Sequence, residues 1–292
     1  MIELTVFIFL LFFGFITRKQ LGKAKEIFKN FIIFVGAPIL TIHSVLSQGK
    51  IEFGLVSAII AVSLILNMVF SKIGNNVFRL KDKGCFLLLN SFGNNGFLGL
   101  PLSWIVFGSQ GLYYGSLYAL VSSLVNFTLG IAAALKEEKA DWFSAIKDTI
   151  KFPVFWVNFF IFLILYLKIT FPVGLMDVFG FIGKATLYLV MFYVGLNLTR
   201  PGNFKEFYKE SLYVGAFRFI ISPLIIFLIL FWSKIEGYQV LVFQAMMPPA
   251  IFSTIVAGYY RMNEKLCANI TTVLTIFFLA TFILIELIGK VL

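Results

Sequence analysis

The sequence predicts an all-α polytopic membrane protein whose ten transmembrane helices form a 5+5 inverted repeat with broken, crossed helices 4 and 9. Three observations lead there. Of the 292 residues, 60% are hydrophobic and only 13% charged, proportions far from those of a soluble domain. The apolar runs divide into ten stretches of roughly 20 residues, the length that crosses a hydrocarbon layer about 30 Å thick. Two of the ten, the fourth and the ninth, are interrupted near their middles by residues that open a helix.

The predicted spans are residues 2–17, 28–47, 53–72, 84–108, 111–135, 153–170, 176–199, 207–232, 238–260 and 266–289. Span 1 is retained in the membrane: its positive charges follow the apolar run and no small-residue cleavage site appears, unlike a secretory signal. The connections after spans 1, 3, 5, 7 and 9 hold 18 of the 24 lysines and arginines, whereas the others hold only Lys50, Lys168 and Lys234. The positive-inside rule then puts the odd connections in the cytoplasm and both termini outside, in a multi-pass protein of the cell (inner) membrane. The net charge of +10 is thereby topogenic. It is scattered over five short loops, which excludes a nucleic-acid surface. Trp104 and Trp232 fall at outer span ends, Trp142 and Trp156 near the inner boundary, as an interfacial aromatic belt requires. Cys85 and Cys267 lie at cytoplasmic span ends without metal-ligand spacing and read as reduced thiols.

Span 4 contains Asn90 to Leu102, N-S-F-G-N-N-G-F-L-G-L-P-L. Gly93 and Gly96 weaken a helix, Asn94 and Asn95 offer the backbone side-chain alternatives, and Pro101 removes a donor. Lipid cannot satisfy the freed N–H and C=O groups, so such a break must be buried in protein or line a wet cavity. Broken spans of this kind point to a transporter's substrate site. The longer connection 136–152 separates a first repeat, 1–135, from a second, 153–292. Five spans per half force the second half into inverted topology, so span 9 mirrors span 4. Span 9 is interrupted in turn by Gln244-Ala245-Met246-Met247-Pro248-Pro249-Ala250. If the two cross at their breaks, two half-helix N-termini converge near the midplane. Their dipoles favour an anion without a buried lysine or arginine.

The G-N-N-G-F-L-G-L-P-L run at Gly93 to Leu102, the M-P-P-A-I-F-S-T-I-V-A-G-Y run at Met247 to Tyr259 and the R-F-I-I-S-P-L run at Arg218 to Leu224 resemble the auxin efflux carrier family. That family includes plant auxin exporters and bacterial permeases for malate, malonate and similar carboxylates. The resemblance covers the whole chain, including Pro38 and the Gly195-Leu196 ending of span 7, and the short central loop is similar to that of bacterial members. It implies an arrangement shared with bile-acid and sodium/proton antiporter-like folds. Helices 1, 2, 6 and 7 would be a scaffold, through which a homodimer forms, and helices 3–5 and 8–10 a moving transport domain. By position in the motif, Asn94 and Asn95 match the family's substrate-contacting polar pair and Pro248 its second crossing proline. Pro249 stands where plant members have a polar residue, so the second half of the site falls to Gln244, Ser253 or backbone.

Each candidate has a plainer reading beside its functional one. Asn94 and Asn95 bind substrate or cap the second half of span 4. Asn90 binds substrate or joins helices by a hydrogen bond. Arg218, within span 8, snorkels to the headgroups or serves the transport domain as a structural or anion-attracting charge. His43, the one histidine, relays protons or is hydrated at the outer interface. No Asp or Glu is expected near the membrane centre, so coupling would use His43, the substrate's own carboxylate, or sodium held by neutral oxygens. Asn67, Ser122, Ser123, Asn126, Thr128, Asn269, Thr271, Thr272 and Thr275 could supply those oxygens, or could simply bond between helices.

The reading is therefore a secondary transporter or uniporter of an organic carboxylate, an auxin-like monocarboxylate or a small dicarboxylate, working by elevator-type alternating access. Its partners are a small organic anion and the lipid bilayer. No cofactor is expected beyond sodium or a proton as coupling ion. A sodium-coupled bile-acid-type symporter and a channel or receptor-like membrane protein are the alternatives. An enzyme is excluded because no catalytic constellation exists to name.

Overall fold

The computed structural model describes residues 2–22, 24–48, 53–138, 147, 153–198, 202, 204–233 and 235–288. Lys23, Lys50, Lys139, Trp142, Lys151, Arg200, Lys234 and most of the connection 136–152 lie outside the described residues. The described chain contains no strand. Its helices are α1 (Ile2–Thr17), α2 (Ala24–Leu46), α3 (Phe53–Val77), α4 (Lys83–Ser91), α5 (Asn95–Glu137), α6 (Pro153–Tyr166), α7 (Val173–Asn197), α8 (Tyr208–Leu230), α9 (Tyr238–Ala245), α10 (Ile251–Tyr259) and α11 (Glu264–Ile288).

Among the described residues six helices, α2, α3, α5, α7, α8 and α11, are long and apolar enough to cross a membrane, and α1 and α6 are shorter apolar helices. Large apolar side chains such as Phe12, Val62, Phe181 and Leu228 stay exposed on these helices, a surface suited to lipid. α4, α9 and α10 have 9, 8 and 9 residues. At about 1.5 Å per residue none of these three spans a bilayer alone.

α5 doubles back on itself. Gly108 adopts φ 59°, ψ −137°, a left-handed conformation that glycine reaches without a Cβ penalty. The arms 95–107 and 109–137 then run side by side, so close that a Cβ on Gly111 would strike the Ser103 carbonyl. The sequence put the seam between spans 4 and 5 at this place. Four π turns widen the helices, at Ile32–Gly36, Asn95–Gly99, Asn126–Gly130 and Phe217–Ile221. Three of them are followed by a proline in the first α turn: Pro38, Pro101 and Pro223. A widened turn re-registers the carbonyl that the missing proline N–H would have served. Pro101 therefore restarts the helix, and the opening attributed to it is made earlier, at 92–94.

α7 packs against α1 where Gly14 and Gly195 let the backbones touch: a Cβ on either would meet carbonyl or amide atoms of the other helix. Such close small-residue packing replaces the hydrophobic drive that lipid does not provide. α7 also lies along α2, with Gly183 against Leu40 and Gly180 facing His43. α3 packs on α4, α5 and α8, and α11 on α4, α8 and α10. The segments following α3, α5 and α10, which the charge pattern assigns to one side, meet at one end. There Lys72 pairs with Glu137 at 3.1 Å, the Gly84 N–H donates to Glu138 at 3.1 Å and the Cys85 thiol donates to the Asn263 carbonyl at 3.5 Å.

Candidate substrate site

The two interruptions are paired with each other. α4 stops at Ser91 and Phe92 turns extended (φ −86°, ψ 93°); after α9, Ala250 is extended as well (φ −72°, ψ 144°). Gly93 and Pro249 form an antiparallel bridge. The Asn94 N–H donates to the Pro248 carbonyl and the Ala250 N–H to the Phe92 carbonyl, both at 2.8 Å. The freed backbone thereby satisfies itself across the two breaks. Pro248 is asked only for its carbonyl, so its missing N–H costs nothing there.

Arg218 sits on the π turn of α8 and does not snorkel. It is 1% exposed and its guanidinium points into the paired breaks. Nε and Nη2 donate to the Met247 carbonyl at 2.8 and 2.6 Å, and Nη1 to the Asn90 carbonyl at 2.9 Å. Gly93 has to be glycine, because a Cβ there would overlap Nη2 of Arg218. The Asn90 side chain takes the interhelical role, donating to the Ser71 hydroxyl at 2.9 Å.

A second polar chain fastens α9 to both arms of α5. The Asn95 side-chain amide donates to the Gln244 backbone carbonyl at 2.7 Å and to its side-chain oxygen at 3.0 Å. Gln244 donates onward to the Ser103 hydroxyl at 3.0 Å, and Ser122 donates to the Asn95 side-chain oxygen at 3.2 Å. Gly99 leaves the room that Gln244 fills.

Beside these paired breaks lies a cavity of about 170 Å³. Residues 92–97 form one wall, Ser122, Ser123 and Asn126 of the far arm of α5 another. α2 contributes Pro38 and Thr41, α6 contributes Val157 and Asn158, and Ala250 and Phe252 close the α10 side. Among the described residues no charged side chain lines it. Gly96 presents bare backbone, with open space where a Cβ would stand. The Asn94 side-chain nitrogen and the Asn126 side-chain oxygen are buried without a hydrogen-bond partner among the described residues.

Of the residues singled out in the sequence, the structure brings Pro38, Gly93, Asn94, Asn95, Gly96, Ser122, Ser123 and Asn126 to the cavity. Asn90, Gln244, Pro248, Pro249 and Ser253 stand outside the lining, and Ser253 donates to the Leu88 carbonyl at 3.5 Å. Asn67, Thr271, Thr272 and His43 are outside it too. Both side-chain amide atoms of Asn67 and the Thr271 hydroxyl are buried without a partner among the described residues. Among the described residues no three His, Cys, Asp or Glu side chains gather as metal ligands. Sequence reasoning missed Thr41 and Asn158. Their signals were present: Thr41 follows Pro38 by one turn, and Asn158 is a lone amide in the apolar helix α6, a placement that marks function or interhelical bonding.

Over residues 1–285 the chain matches the family described as membrane transport protein. It is 28% identical over 275 residues to an uncharacterized transporter of Methanocaldococcus jannaschii, covering 89% of each chain. It is 27% identical over 193 residues to an uncharacterized transporter of Methanothermobacter thermautotrophicus, covering 63% of this chain and 61% of the relative. The family match spans nearly the whole of a chain rich in apolar helices, and the protein therefore belongs to the membrane transport protein family, the auxin efflux carrier-like transporters.

Proposed function

We propose that the protein is a secondary carrier or uniporter of an organic carboxylate, and that the cavity beside the paired breaks is where the carboxylate sits. One observation supports this above the rest: the open backbone of Gly96 and the Asn94 side-chain nitrogen, without a partner among the described residues, line a cavity at the start of a helix. The first-turn N–H groups of α5 and α10 have no preceding helical carbonyl. Each helix N-terminus carries about half a positive charge, so the two together suit one carboxylate. The remainder of the lining, Phe92, Phe97, Phe127 and Phe252 among it, suits an apolar body. A second carboxylate would lose its water with no cation to meet it, which favours a monocarboxylate over a small dicarboxylate.

In this reading α4 with the arm 95–107 is one broken crossing and α9 with α10 its mirror. With the arm 109–137 and the seven other helices they make ten spans in two inverted halves. α1, α2, α6 and α7 are the scaffold and the others the transport domain. Residues of α2 and α6 face residues of α5 and α10 across the cavity, as an elevator-type carrier with its site between the two bodies requires. The termini are extracytoplasmic, and the scaffold offers the homodimer surface. An inside-negative potential drives each exported negative charge by about 2.3 kcal/mol per 100 mV, so efflux proceeds without a coupling ion.

Thermal unfolding of the purified protein with benzoate, phenylacetate, indole-3-acetate, malonate and malate tests this. A binder at about 100 times its Kd stabilises by roughly 2.7 kcal/mol. The monocarboxylates are expected to raise Tm and the dicarboxylates to raise it less. If no carboxylate shifts Tm, the reading fails.

A further inference from the structure

We propose that Arg218 is a built-in counter-cation of the paired breaks, which takes the place a sodium or potassium ion would otherwise fill there and leaves the folded protein needing neither. The arrangement of Arg218 stands without the carrier reading.

α4 and α9 bring their C-terminal ends together, away from water. The carbonyl of Asn90 in the last turn of α4 and that of Met247 just past α9 face one guanidinium. A helix C-terminus carries about half a negative charge. The pair therefore amounts to roughly one, and a single cation balances it. Either a solute ion or a side chain can be that cation. Here it is a side chain, fully buried, making three charge-assisted bonds. Among the described residues no carboxylate lies within ion-pair reach of it; the carbonyls are its counter-charge. A sodium or potassium ion at this point would have to displace those bonds and lie against a fixed positive charge in a medium of low dielectric.

Gly93 separates this charge from the cavity. The guanidinium packs against it, where a Cβ has no room, and Gly93 lines the cavity while Arg218 does not. Arg218 is thus a positioning residue that does not touch substrate. It cancels the two C-termini, which leaves the positive N-termini of α5 and α10 as the uncompensated charge at the cavity.

The test uses the full chain in detergent without any carboxylate, so its failure is separable from failure of the carboxylate reading. Thermal unfolding of the wild-type protein is compared in sodium, potassium and N-methyl-D-glucamine chloride at equal ionic strength. The same Tm in all three is expected. A Tm raised specifically by sodium or potassium would overturn the proposal, whichever residues hold the ion. Arg218→Ala is expected to lower Tm by roughly 10 °C, with partial recovery in millimolar guanidinium but none in tetramethylammonium, which has no N–H to donate. An Arg218→Ala protein as stable as wild type, or one that guanidinium does not favour over tetramethylammonium, would also overturn it. If Arg218→Ala cannot be isolated, the wild-type cation series decides alone. Arg218→Lys, which keeps the charge and loses the fork, is expected to be less stable than wild type and equally indifferent to the salt; a sodium-dependent Tm in that variant contradicts the proposal.

Discussion

Asn95 donates one side-chain amide to two oxygens of Gln244, the backbone carbonyl at 2.7 Å and the side-chain oxygen at 3.0 Å. Both residues are buried, and the bond ties the end of α9 to the start of α5. Asn95→Ala leaves both Gln244 oxygens without this donor, which costs about 1–3 kcal/mol. Because the partners act as a unit, Asn95→Ala and Gln244→Ala combined are expected to lose less than the sum of the two single losses. A double-mutant cycle on thermal stability checks this; strict additivity would mean that the two side chains are not coupled.

Asn94 behaves in the opposite way. Its side-chain nitrogen is buried with no partner among the described residues, so removing it takes away an unmet donor and no bond. Asn94→Ala is expected to keep or slightly raise Tm in the unliganded protein while abolishing the monocarboxylate-induced shift. Isothermal titration with benzoate reads the binding directly, and unchanged affinity in Asn94→Ala would remove this residue from the site.

The glycines of the first break separate by what stands behind each. A Cβ on Gly93 meets Arg218, and one on Gly99 meets Gln244, whereas one on Gly96 meets nothing within 4 Å. Gly93→Ala and Gly99→Ala are therefore expected to lower stability by several °C or prevent folding, with the loss falling in the 1–3 kcal/mol range of overpacked sites. Gly96→Ala should fold normally and weaken carboxylate binding, because its methyl group enters the cavity. Expression level, Tm and affinity of the three variants check the ordering.

Among the described residues the cavity lining holds no titratable side chain, so the pH dependence of binding belongs to the substrate. A carboxylic acid ionises around pH 4. The anion binds and the neutral acid does not, so affinity should be flat from about pH 6 to 9 and fall about tenfold per unit below the substrate's pKa. His43 lies outside the lining, against Gly180 of α7. A loss of affinity between pH 5 and 8 that disappears in His43→Gln would contradict this.

Much of this was legible in the sequence, and the reasons differ by residue. The breaks at 92–94 and 246–250 could be read because Gly93, the Asn94-Asn95 pair and the Pro248-Pro249 pair all oppose a continuous helix where lipid would demand one. That the two breaks belong together followed from counting spans. The division of labour between Asn94 and Asn95 could not be read. Adjacent residues of one type leave the chain in different directions, and only the position of Gln244 decides which of them is used up by the fold. Gln244 looked like a ligand because it is polar and lies in a break, yet a partner 149 positions away claims it. For Arg218 the sequence gives a depth along α8 and no direction, since the carbonyls that turn it inward come from α4 and from beyond α9.

Charge movement offers the last prediction. A neutral cavity wall, a fixed Arg218 and a monoanionic substrate imply that each cycle moves one negative charge. In proteoliposomes loaded with radiolabelled benzoate, a potassium gradient with valinomycin sets the potential without supplying a coupling ion. An inside-negative potential should accelerate efflux and an inside-positive one should retard it. At equilibrium the potential shifts the benzoate ratio by the 2.3 kcal/mol per 100 mV that one charge feels, or about 50-fold. An electroneutral carrier, which moves a proton or sodium ion with the carboxylate, gives no such shift. Absence of the shift would therefore refute uniport, and the role assigned to Arg218 would fall with it only where sodium is the ion moved.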